Sequence, residues 1–79
     1  MNKITINRTP AQIYNELRRY GKYEFRMNDN TLVYTFDYGT FEKAYEVIFC
    51  DTIVAQIREL DLETAKYLKA VDALEFGNF

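Results

Sequence analysis

The sequence predicts an α+β fold of two layers: a short N-terminal strand, a helix, a three- or four-stranded antiparallel meander and a C-terminal helix. Three observations predict it. Tyr23, Phe25 and Met27 alternate with polar residues, Leu32, Tyr34 and Phe36 do the same, and Asn28-Asp29-Asn30 lies between the two runs. Period two with a reversing polar segment is the pattern of a hairpin. Ahead of it stands a helix start, Thr9-Pro10-Ala11-Gln12, and behind it Ala65, Leu68 and Val71 form an apolar stripe at helical spacing.

In chain order, Lys3 to Ile6 alternates polar and β-branched residues and predicts a four-residue edge strand. Thr9 is a capping residue, Pro10 occupies the first helical position where its missing N–H costs nothing, and Gln12 stands three after the cap. Ile13, Leu17 and Tyr20 then recur at four and three, so a helix runs from Pro10 to Tyr20, and Gly21 is placed to close it in a left-handed conformation. Arg18 and Arg19 in the last turn complement the helix dipole.

The hairpin arms span Lys22 to Met27 and Thr31 to Tyr38, with Gly39 free to turn. Ala44 to Cys50 predicts a third strand with Tyr45, Val47 and Phe49 on one side and a second side, Glu46, Ile48 and Cys50, that is not fully polar. Thr52 to Leu60 satisfies two periods at once. As a strand, Ile53, Ala55 and Ile57 alternate; as a helix, Ile53, Ile57, Leu60, Thr64, Tyr67, Val71 and Leu74 step by four and three like a coiled-coil seam. Length favours the strand, because one helix of about 25 residues would extend about 37 Å, beyond the body of so small a domain. The continuous helix would instead favour a homodimer along its seam. From Leu62, capped by Asp61, a helix continues until Gly77.

Seventy-nine residues without a linker, repeat or low-complexity tract predict a single domain over 1–79. Six phenylalanines and seven tyrosines give its thin core large side chains, so the rings of the hairpin are expected beneath the helices. A lone cysteine, Cys50, rules out an internal disulfide, and its place in an apolar strand predicts an inert thiol. No window reaches the roughly 18 to 20 apolar residues of a membrane span. The expectation is a cytoplasmic protein that does not enter a membrane.

There is no histidine, which removes the commonest general base and zinc ligand together with every Ser-His or Cys-His nucleophile. Asp51, Glu59, Asp61 and Glu63 are the densest carboxylates, but they lack the spacing and the glycine of a calcium loop, and the three glycines stand singly at element ends. The chain is therefore expected not to be an enzyme and to need no metal or cofactor.

Binding remains. Up to Arg26 six positive side chains stand against two acids, and from Met27 onward four stand against ten, a split that makes the molecule dipolar. The first binding reading is a protein partner. An acidic surface that includes Asp61, Glu63, Asp72 and Glu75 would occupy a basic cleft, while Tyr14, Tyr38 and Tyr67, off or at the edge of the apolar stripes and so expected to be exposed, would add contact area. Such a module would suit a regulator or a small inhibitor encoded by a phage or another mobile element. The alternative is nucleic acid, with sheet aromatics stacking on bases and Arg18, Arg19, Lys22 and Arg26 meeting phosphates. A sequence pI near 5.0 weighs against it.

Overall fold

A computed structural model describes residues 8–76, the last two by their backbone only. The elements follow the predicted order: α1 (Pro10–Tyr20), β1 (Lys22–Asn28), β2 (Thr31–Asp37), β3 (Glu42–Cys50), β4 (Ile53–Leu60) and α2 (Leu62–Phe76). The four strands form one antiparallel meander in the order β1-β2-β3-β4. The strand expected at Lys3 to Ile6 and the stop at Gly77 lie outside the described residues.

Local signals set most boundaries. The α1 capping box is complete, with the Gln12 amide donating to Thr9 Oγ1 at 3.2 Å and the Thr9 amide to Gln12 Oε1 at 2.9 Å. Asn30 N–H donates to Asn28 Oδ1 at 3.0 Å and closes the β1–β2 turn; Gly39, at φ +103°, turns the chain between β2 and β3 while its N–H bonds Asp37 Oδ1 at 2.8 Å. Asp61 caps α2 by accepting from the Thr64 amide at 3.0 Å.

The ambiguous segment is strand. Ala44 pairs with Leu60, Val47 with Ile57 and Cys50 with Ile53, so β3 supplies the backbone bonds that decide between the two periods. The helical seam through Ile53 and Ile57 does not form, and the argument for a homodimer that rested on it goes with it.

Each helix makes a layer against the sheet, and the two lie on opposite faces, so the α+β fold has three layers where the sequence predicts two. Leu17, with Ile13 and Tyr14, packs on Tyr34 and Val47; Ala65, with Leu62 and Leu68, packs on Phe25, Val33 and Ala44. Val33 and Tyr34 are neighbours in β2 and must point apart. The physical reason is visible in the strands: Val33 and Ala44 are as fully buried as Val47 behind them, so both faces of β2 and β3 need cover.

A β-bulge refines the hairpin. Tyr23 stands opposite Tyr34 but Phe25 opposite Val33, so the extra residue at Glu24 turns Tyr23 to the α1 face and leaves Phe25 and Met27 facing α2. Tyr23, Phe25 and Met27 thus do not share the single face that strict alternation predicts. Gly21 also differs from expectation. Its φ of −94° is ordinary, and what it supplies is closeness: a Cβ there would lie 2.8 Å from both Leu17 O and Thr35 O.

Candidate functional site

Helix α1 packs mainly on β4 and reaches β1 and β2, so it crosses one face of the sheet and leaves an uncovered area on each side. On one side the strand ends near the β2–β3 turn carry Phe36, Tyr38 and Tyr45. Phe36 and Tyr38 have ring centroids 4.8 Å apart, and Phe41 stacks on Tyr38 at 5.0 Å with the planes tilted by 20°. Tyr38 is 48% exposed and Phe41 52%. The two hydroxyls of Tyr38 and Tyr45 lie 2.6 Å apart, which fixes the Tyr38 ring by its tip. Burial, followed by that hydroxyl contact, raises the Tyr45 phenol well above the usual tyrosine range.

Beside these rings runs a groove of about 360 Å³, floored by Ile13, Leu17 and Ile57 and rimmed by Arg8 and Glu16, which form an ion pair. An apolar trough with stacked rings at one end and a neutralised charge pair at the other accepts an apolar side chain well and a charged one badly.

On the other side of α1 lies a corner of different character. Tyr14 meets Tyr34 edge-on at 5.9 Å and Phe49 at 5.4 Å, Tyr34 meets Tyr23 at 5.5 Å, and the Arg18 guanidinium sits 5.5 Å from the Tyr14 ring centroid. Tyr34 is buried, and its phenol is pushed up to about 12, first by burial and then by the Tyr14 hydroxyl.

The residues singled out from sequence scatter. Asp61 caps α2, Glu63 is exposed, and Asp72, half-buried beside the β1 edge, comes about two and a half turns after Glu63 on the opposite side of the helix. These three do not meet in one acidic patch; Glu75's side chain lies outside the described residues. Tyr67 is 68% exposed and Tyr38 open, as their positions predict, but Tyr14 is half-buried because the flank of α1 it occupies overlies Phe49. Of the basic four, Arg18 and Arg26 reach the α1 face, Arg19 stands over Tyr20 at 6.0 Å, and Lys22 turns to the α2 side beside Lys66 and Lys69. Cys50 stands in β3 as its sequence position predicts, but at the last residue, where it is exposed because the β3–β4 turn begins directly after it.

Phe41 was missed in the sequence because it falls between strands, where alternation carries no information. Its nearness to Tyr38 depends on the turn that Tyr38 N–H closes onto Phe41 O at 2.8 Å. Among the described residues no group of three acidic, cysteine or histidine side chains could hold a metal ion, and no helix is long and apolar enough to cross a membrane. No protein-family model matches the chain, and no curated protein or solved structure is significantly similar to it.

Proposed function

We propose that this chain is a small non-enzymatic protein-binding module whose partner seats an apolar side chain in the groove between α1 and the Phe36–Tyr38–Phe41 stack. One observation carries the reading: two large rings, each about half exposed, are held rigid by stacking and by the Tyr38–Tyr45 hydroxyl contact beside an apolar trough. Rigid aromatic side chains lose little entropy on binding and supply most of the energy at the centres of interfaces. A chain with such a surface acts by occupancy, regulating or inhibiting whatever it covers.

The test is affinity capture from the source cell with the full chain and with a Tyr38→Ala/Phe41→Ala double variant, after circular dichroism has shown that the variant folds. The wild type should retain a partner that the double variant loses by at least about tenfold, the effect of roughly 1.4 kcal/mol. Equal capture by both proteins would refute the groove as the docking site.

A further inference from the structure

The bulge at Glu24 has a chemical consequence at the β1 edge. By rotating Tyr23 onto the α1 face it sets that ring, 50% exposed, beside Tyr34, and the next residue of β1 on the same face is Arg26, which pairs with Leu32. The result is a run of contacts from Arg18 through Tyr14 and Tyr34 to Tyr23, with Arg26 following on the same face of β1, its guanidinium turned to the β1–β2 turn. We propose that this corner binds single-stranded nucleic acid, at a site separate from the groove across α1.

Charge supports that occupant. Among the described residues neither Arg18 nor Arg26 takes part in an ion pair. Arg26 is steadied at 2.9 Å by a main-chain carbonyl, that of Asp29, which orients the guanidinium without cancelling its charge. The nearby carboxylates are occupied elsewhere: Glu16 pairs with Arg8, and Glu24 is turned to the far face, where Lys69 and Thr35 bond it. Asp29 and Asp72 line the open cleft along the β1 edge, together with Asn28, Tyr23 and Arg26 themselves. Asp72, carried by α2, repels a phosphate backbone from the far side of that edge, which leaves the α1 side, where Arg18 and Arg26 lie.

The rings supply what an acidic peptide would not use. Tyr23 stands on an outermost strand with no neighbour beyond it, so a base can stack on its exposed face while flanking phosphates reach the guanidinium groups. Tyr34, itself met edge-on by Tyr14, holds Tyr23 edge-on and stops it collapsing onto the sheet. Two phosphate contacts on a single strand predict a shallow salt dependence, with a log–log slope of about −1.4.

Fluorescence anisotropy with labelled oligothymidylate and oligouridylate tests the proposal, with polyglutamate as the acidic competitor. Binding should weaken with salt at about that slope. It should fall about tenfold in Tyr23→Ala, persist in Tyr23→Phe, and be abolished in the Arg18→Glu/Arg26→Glu double variant. Tyr38→Ala/Phe41→Ala should leave it unchanged, which separates this site from the protein-binding groove. Absence of oligonucleotide binding at low salt, equal competition by polyglutamate, or wild-type affinity in Tyr23→Ala would each overturn it.

Discussion

Lys69 Nζ lies 2.6 Å from Glu24 Oε1, joining α2 to the edge strand through the bulged residue of β1. The second carboxylate oxygen accepts the Thr35 hydroxyl at 2.7 Å, so one half-sheltered glutamate ties a helix and two strands together. The bulge that frees Tyr23 for the α1 face is the same irregularity that places Glu24 beneath α2. Its anchoring and the exposure of Tyr23 are therefore one structural event.

Glu24 should make the fold acid-sensitive. Burial alone would raise its carboxyl, but hydrogen bonds from Lys69 and Thr35 and the Lys69 charge outweigh it, and the group sits below its ordinary value of 4.5. A carboxyl lowered in the folded state stabilises above the unfolded value and loses that contribution as pH falls through the folded one. Thermal melts from neutral pH down through pH 4.5 should show wild type losing stability on the acid side. Glu24→Gln should be weaker by about 1 kcal/mol at neutral pH and flatter in acid. A variant curve parallel to wild type would show that another group controls the acid limb.

The opposite limb belongs to tyrosines. Tyr34 rises from an ordinary 10.0 to about 12, and Tyr45 is raised too, so the folded state holds both protons more tightly than the unfolded chain does. Their contribution is complete below pH 10 and is lost as pH climbs toward and past 12. Denaturant midpoints followed from pH 9 upward should fall for wild type and fall less steeply for Tyr34→Phe, which has no phenol to ionise.

Leu17 joins α1 to the sheet and is only 3% exposed, packed on Tyr34 and Val47. Leu17→Ala should cost roughly 2 to 5 kcal/mol, a large share of the stability of so small a domain. Urea denaturation measures it. A cost below about 1 kcal/mol would mean that the helix is not seated on these residues.

Gly21→Ala tests the close approach. Its backbone angles suit alanine, and the stiffer unfolded chain would favour the substitution by about 0.4 to 1 kcal/mol. The added Cβ, however, meets two backbone carbonyl oxygens at 2.8 Å, and neither can rotate away as a side chain would. Overpacking of that kind costs about 1 to 3 kcal/mol, so the net effect should be destabilising. A melting temperature at or above wild type would show that α1 can lift from β2 without loss.

The amino-acid sequence by itself determined the kind and order of every described element except Ile53–Leu60, because capping residues, turn residues and alternation act over a few neighbouring positions. Thr9 with Gln12, Asn28 to Asn30, Gly39 and Asp61 each mark a boundary that local bonds enforce. Tyr38 and Tyr67 were legible as exposed for the same reason: they sit off or at the edge of the apolar stripes. Tertiary structure alone decided which face each ring took. Ile53 to Leu60 satisfied two periods until β3 offered a hydrogen-bonding partner, and Tyr23 parted from Phe25 only because pairing with β2 absorbed one extra residue at Glu24. The two helices went to opposite faces because Val33 and Val47 both had to leave water. Phe41 joined the stack beside the groove only when a turn closed onto it, and Arg18 and Arg26 came to one face of the sheet only when α1 crossed it. Each of these is set by contacts between residues distant in the chain, and no local spacing encodes them.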